Sequence, residues 1–411
     1  MTASFWSPEQ HPAPTSSMTG KQRILDTLAG RRVDRVPFVP NVWQWFYVNR
    51  RRKSLPAELA SCREPLDVLR HLGADIFSKF DGKVIRPTLR EYKHTVTFEG
   101  EFPEAPPEWT SFVDFTGGPV RKETIETPRR MLSHTWVYEE ETGAPFEVEH
   151  WWKRFERDYA AVRNWIEDTE WTVDREALCR GLARVGDDGV IAFMLPPSPL
   201  KKFHWLAGAE QATFFLIDHP GKMRELAWIH TEQSLAVLEE VVDEPEVFVF
   251  EVDDNLDSQF YSPPLFRDYC LPVLQKMAAM VHARGKYLFV HACGQLKALA
   301  PLILKAGLDC VEGQAHPPIG DWRLDEARAL SDRLILCGGM TAVEQQWQGP
   351  DVAMRIDAHV HELFSSLGDC RRFLFGSGCS TAPDTPYANL VAFRDAARKY
   401  GSFQGRAGGP V

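Results

Sequence analysis

The chain has 411 residues, of which 44% are apolar and 25% charged, with a net charge of −10. This balance fits a globular protein of two domains, or one barrel with insertions. The negative charge, with no long Lys/Arg run, excludes a nucleic-acid surface, and the lack of any stretch of about 20 apolar residues excludes a transmembrane helix.

The first 18 residues hold Ser, Thr and Pro but no basic start or apolar stretch, so a flexible tail is expected over 1–18, not a signal peptide. A helix is expected over about 21–31, where Ile24, Leu25 and Leu28 share a face and Gly30 offers an end. Val36–Pro40 reads as an extended segment, and Gly73–Phe77 opens another strand. Between them, Arg50-Arg51-Arg52-Lys53 is the densest basic patch, read as a solvated loop or as a contact for an anionic ligand. Residues 84–150 carry short alternating patches such as Thr95–Phe98, many prolines and Gly117-Gly118, and are expected to form an inserted β-rich lobe. Helices resume near Tyr159.

From residue 186 the pattern becomes regular. Apolar runs at about 190–195, 247–252, 286–291, 308–312, 333–337 and 372–376 alternate with amphipathic stretches. Short apolar runs between helices are the mark of parallel strands buried on both faces. With the two N-terminal runs this makes eight candidate strands. The expected fold is α/β: a single (β/α)8 TIM barrel over 19–411, carrying the 84–150 insertion. A doubly wound open sheet is the alternative, but no Gly-x-Gly-x-x-Gly follows a first strand. The eight cysteines form no paired framework and several lie inside apolar runs, which suits a reducing, cytoplasmic setting.

Four residues with metal-binding side chains fall where strands should give way to loops. His291 and Cys293 end Tyr287–Val290, Glu312 ends Leu308–Val311, and Cys379 follows Phe373–Ser377, giving H-x-C-x18-E-x66-C. Imidazole, two thiolates and a carboxylate suit zinc. Their spread over three strand ends favours a catalytic ion over a structural one, because structural zinc usually uses closely spaced pairs. His-x-Cys also arises by chance, and a lone strand-end Cys is ordinarily packing. Asp253 and Asp254 follow Val247–Val252 and are candidates for a general base or substrate anchor, or for a helix cap or turn.

Taken together, these fragments resemble the uroporphyrinogen decarboxylase superfamily, and within it the zinc-dependent, cobalamin-linked methyltransferases. Lys21–Leu25 through Asp34-Arg35-Val36-Pro37 is similar to the family's opening helix and first-strand entry. Thr127-Pro128, Trp152-Lys153 and Asp158-Tyr159 are similar to its middle segment. Asp253-Asp254 and Pro272 match its central strand and following helix, and Asp384-Thr385-Pro386 with Asn389 its closing segment. His291-Ala292-Cys293-Gly294 with Cys379 resembles the zinc signature of the methyltransferase branch, and Glu312 is placed like the glutamate ligand of a related zinc barrel, cobalamin-independent methionine synthase. The decarboxylase's Arg-rich N-terminal pattern is replaced here by Asn41–Phe46, which is aromatic and argues against a porphyrinogen.

The resemblance implies a zinc-dependent methyltransferase acting on a small methylated substrate, with a methoxyaromatic among the options. It also implies a corrinoid (cobalamin) or thiol acceptor, the corrinoid held by a separate protein or free. A homo-oligomer is compatible with the sequence. Two other readings stand: a metal-independent decarboxylase or lyase using Asp253 or Asp254, and a non-catalytic ligand-binding barrel with structural zinc.

Overall fold

The computed structural model describes residues 18–110 and 113–403, so the tail expected over 1–18 lies outside the described residues except for Met18. Helices make up most of the fold. The N-terminal part holds α1 (Gly20–Leu28), α2 (Trp43–Arg51), α3 (Pro65–Leu72) and the short strand β1 (Ile76–Ser78). There follow β2 (Ile85–Leu89), β3 (Lys93–Glu99), β4 (Val120–Glu126), β5 (Met131–Glu139), β6 (Ala144–Glu149), α4 (Phe155–Asp168), β7 (Thr169–Val173) and α5 (Arg175–Val185). Next come β8 (Gly189–Leu195), α6 (Pro199–Ala207), α7 (Ala209–Asp218), α8 (Pro220–Val241) and β9 (Val249–Leu256). The remaining strands are β10 (Tyr287–Ala292), β11 (Cys310–Gln314), β12 (Ile335–Met340) and β13 (Phe373–Ser377), with helices between them.

The strands from β8 onward arise from the apolar runs. Every residue of β8, β11, β12 and β13 is buried, as parallel strands covered on both faces require. They form one parallel sheet in the order β1-β8-β9-β10-β11-β12-β13. Pro220 divides the long amphipathic stretch at 208–240 into α7 and α8, because proline lacks the amide a continuous helix needs.

The closed eight-stranded TIM barrel expected from the sequence does not form. The sheet has seven strands, turns through 267° and leaves its edges 9 Å apart, an open half-barrel. The run at 36–40, expected to be the first strand, makes a single bridge, Phe38 to Phe375. Val39 donates to Phe375 O (2.8 Å), Phe375 to Pro37 O (3.0 Å) and Asp75 to Phe38 O (2.8 Å). Pro37 and Pro40 carry no amide hydrogen, so the segment cannot extend a ladder from one edge to the other.

Buried charge secures this seam. The Arg23 guanidinium, on α1, donates to Asp34 Oδ1 at 2.6 Å and to Asp75 Oδ1 at 2.5 Å. Arg35 donates to Asp75 Oδ2 at 2.5 Å, and the same oxygen accepts the Phe38 amide at 3.1 Å. The side chains of Arg23 and Asp75 are 3% and 2% exposed.

Within 93–149, β3, β4, β5 and β6 form an antiparallel meander. The antiparallel pair β2–β7 lies at its base, with Ile85 opposite Val173. The basic patch runs off the end of α2 into the following turn, and each of its charges meets an acidic residue. Arg50 pairs with Glu108 (3.2 Å), Arg51 with Glu140 (2.6 Å), Lys53 with Glu104 (3.0 Å) and Arg52 with Asp384 (2.6 Å). Three of its four charges therefore hold acidic residues of 101–140. Among the described residues no helix is long and apolar enough to cross a membrane.

Two outcomes test the seam. Arg23→Met leaves Asp34 without its guanidinium partner and Asp75 with Arg35 alone, and is expected to cost about 3 kcal/mol in denaturant unfolding. Burial pushes the Asp34 carboxyl up, but Arg23 more than reverses this and holds it below its ordinary 3.8. A depressed carboxyl contributes stability above its unfolded value and loses it as pH falls through the folded one. The stability gap between wild type and Asp34→Asn should therefore be constant above about pH 5 and shrink below about pH 4. A pH-independent gap would show that Asp34 does not act through its charge.

Candidate metal centre

His291 and Glu312 are paired neighbours across β10 and β11, so their side chains emerge on the same side of the sheet. A Glu312 oxygen lies in very short contact with His291 Nδ1. The other ring nitrogen, Nε2, lies 3.6 Å from the Cys379 sulfur. Cys293 lies one residue beyond β10 and two beyond His291. Both thiols are free and reach the exposed rim, while His291 and Glu312 are buried.

Gly313 makes this convergence sterically feasible. Its φ is +93°, and a Cβ there would lie 2.3 Å from Ala292 O and 2.4 Å from Gly378 O. The loops carrying Cys293 and Cys379 close over a position that only glycine can fill.

Two further charged residues, absent from the sequence-derived set, complete the cluster. The Lys79 ammonium, one residue past β1, is 2.8 Å from Glu312 Oε2, 3.3 Å from His291 Nδ1 and 3.7 Å from Glu251 Oε1. Glu251, in β9, is fully buried, and neither of its oxygens has a hydrogen-bond partner. Its signal in the sequence is a lone carboxylate inside Val247–Val252. Lys79 gave none, because only the curl of the sheet brings β1 opposite β10 and β11.

These groups set one another's charge. Burial opposes ionisation of Glu312, but Lys79 and His291 overcome it and lower its carboxyl to about 2. Burial raises Glu251 to about 8 despite Lys79, and Glu312's negative charge adds to the rise. Burial would also raise the Cys379 thiol, yet the nearby His291 and Lys79 bring it down to about 7. A thiolate is thus accessible near neutral pH.

The donors fit zinc on one side of the imidazole. At ordinary Zn–S and Zn–N bond lengths, two ligands of a tetrahedral ion stand about 3.6 Å apart, and the Cys379 Sγ to His291 Nε2 separation is 3.6 Å. His291 Nε2 and Cys379 thus stand as two ligands of one ion would, whereas the Cys293 sulfur does not come within 4.8 Å of both of their donor atoms. Glu312, expected as the fourth ligand, instead meets the opposite ring nitrogen. There a carboxylate fixes the tautomer and orientation of a ligating histidine. Glu251, His291 and Glu312 also present donor atoms within 4.8 Å of one another, but the Lys79 ammonium stands among them, and a second cation would have to displace it.

The two aspartates separate. Val290 pairs with Val252 but Ala292 with Leu256, so a bulge extrudes Asp253–Asn255 from the β9–β10 ladder. Asp253 accepts from Lys83 Nζ at 3.1 Å near the mouth. Asp254 is turned into the interior among Ser198, Tyr261 and Cys270, where burial raises its carboxyl. A small cleft over Glu312 and Lys79 is walled by Trp43, Phe80, Asn41 and Ser377. Trp43 and Phe80 stack at 5.1 Å, and Trp109 meets Phe80 edge-on at 5.5 Å.

Known proteins place this architecture. A solved methyltransferase from Methanosarcina mazei is similar in fold, with a TM-score of 0.58 over 93% of this chain and 99% of that one, at 17% identity. Among proteins of curated function, none matches the chain in sequence. The family description for uroporphyrinogen decarboxylase (URO-D) matches residues 185–400, the segment that runs from the last residue of α5 to the helix after β13 and carries His291, Cys293, Glu312 and Cys379. The chain belongs to the uroporphyrinogen decarboxylase family.

Proposed function

We propose that this protein is a zinc-dependent methyltransferase that removes a methyl group from a small methylated substrate. The observation that carries the reading is the approach of Cys379 to His291 Nε2 at zinc-ligand spacing, with Cys293 two residues beyond His291 at the end of β10. His291, Cys293 and Cys379 would hold the ion. Zinc in such a site acts as a Lewis acid toward an ether oxygen or thioether, or keeps a bound thiol as thiolate.

The chain's own groups have distinct work. Glu312 holds the His291 ring by its Nδ1, so that Nε2 faces Cys379. Lys79 balances Glu312 and Glu251 and keeps a positive charge beside the cleft. Trp43, Phe80 and Trp109 offer flat apolar faces, which suit the ring of a methoxyaromatic donor. The acceptor in this reading is a corrinoid on a separate protein or free, or a thiol. The Asp253–Lys83 pair favours a second reading, a metal-independent decarboxylase or lyase in which Asp253 moves the proton.

Cobalt(II) substitution followed by absorption spectroscopy separates these readings. Thiolate-to-cobalt charge transfer is expected in the wild type and should be lost in Cys293→Ser and Cys379→Ser, each variant also holding one zinc per chain fewer while its circular dichroism is unchanged. No cysteine-dependent metal binding under reducing conditions would overturn the methyltransferase reading and favour the lyase. Gly313→Ala is expected to lose the same ion and to unfold about 1–3 kcal/mol more easily, since its Cβ forces the two cysteine loops apart. Retention of the ion at wild-type affinity would show that the loops do not depend on that approach.

A further inference from the structure

A second group of ligating side chains lies in the 93–149 sheet and shares no residue with the centre described above. His134 on β5 and Glu147 on β6 meet with Nε2 2.9 Å from Oε1. His150, one residue past β6, has Nδ1 3.8 Å from the same oxygen. These three residues offer donor atoms that all lie within 4.8 Å of one another. His134 is 1% exposed. His150 Nδ1, which points at Glu147, is buried and has no hydrogen-bond partner, an arrangement that costs free energy unless something binds it.

The surroundings hold this group rigid. The His134 ring stacks on Trp151 at 4.9 Å with planes 5° apart, and meets Trp136 edge-on at 5.0 Å. Its Nδ1 faces Glu123 Oε1 at 3.8 Å. Glu123 is itself fixed by Trp136 Nε1 at 3.1 Å, His94 Nε2 at 2.7 Å and Arg121 at 3.2 Å. A histidine whose far nitrogen looks at an anchored carboxylate is arranged as metal-binding histidines are.

We propose that His134, Glu147 and His150 form a divalent-cation site that fastens the β3–β6 sheet to the helical body. Two imidazoles and one carboxylate suit zinc, or another first-row ion that favours nitrogen and oxygen. The location explains the purpose. His150 packs on Gly208, between α6 and α7, where a Cβ would lie 2.7 Å from its Nε2. The next residue but one, Trp152, donates its amide to Leu206 O at 2.7 Å. An ion here ties β5, β6 and the segment that docks on α6 into one unit.

The test is zinc content by elemental analysis on the full chain, reconstituted with zinc under reducing conditions. In the Cys293→Ser/Cys379→Ser background one zinc per chain should remain, and adding His150→Ala or Glu147→Gln should remove it. Zinc should also raise the Tm of the double cysteine variant and leave that of its His150→Ala derivative unmoved. If the cysteine variant fails to fold, His150→Ala in the wild type should lower the count from two to one. No residual ion in the cysteine variant, or an ion unaffected by both substitutions, would overturn the proposal. The cysteine-dependent ion belongs to the methyltransferase reading, so either can fail without the other.

Discussion

Asp75 sets the geometry on which the rest of the molecule depends. Its carboxylate binds Arg23 from α1, Arg35 from the chain entering the seam, and the Phe38 amide within it. A sheet that stops short of closure would leave two unpaired edges facing one another. Here a proline-flanked strip bridges them at one point, and buried ionic hydrogen bonds hold that strip where a ladder cannot form. The cost of burying these charges is met only because each is paired in good geometry. Because β1 begins one residue after Asp75, the same interaction fixes where Lys79 emerges.

Lys79 is the counterpart of Asp75 at the other end of β1. It crosses the interior of the curled sheet to Glu312, His291 and Glu251, which stand on three different strands. One ammonium thus serves two buried carboxylates. Glu312 remains ionised and orients His291, whereas Glu251, farther from the lysine and without hydrogen-bond donors, has its carboxyl raised to about 8. The imidazole divides the cluster. Its Nδ1 side is carboxylate and lysine, and its Nε2 side is sulfur. That division places a sulfur on one side of the ring and the protein's own cation on the other.

The 93–149 sheet is held by different physics at its two ends. Arg50, Arg51 and Lys53 reach acidic residues of the lobe across exposed surface, where each pair contributes little. At its base, Trp151, Trp152 and the histidines pack against α4 and α6 in the interior. The aromatic wall over the cleft combines Trp43 of α2, Phe80 after β1 and Trp109 from the lobe region, so the position of the lobe shapes the opening above Glu312 and Lys79.

The amino-acid sequence by itself determined the strands from β8 onward, the helices between them and the β-rich character of 84–150, because burial on two faces or one leaves a periodicity that is local. It also marked His291, Cys293, Glu312 and Cys379 as residues at strand ends, although Glu312 stands in the middle of β11 and His291 inside β10. Closure was not local. The expected first strand carried the right apolar residues, but whether Pro37 and Pro40 were tolerated depended on which edges they had to join. Tertiary structure alone decided that Glu312 meets Nδ1 and not the sulfur side, that a bulge sends Asp253 and Asp254 to different surroundings, and that Lys79 and Glu251 belong to the centre. Those outcomes follow from the register and curvature of distant strands, which bring together residues more than 200 positions apart and leave no spacing along the chain from which they can be read.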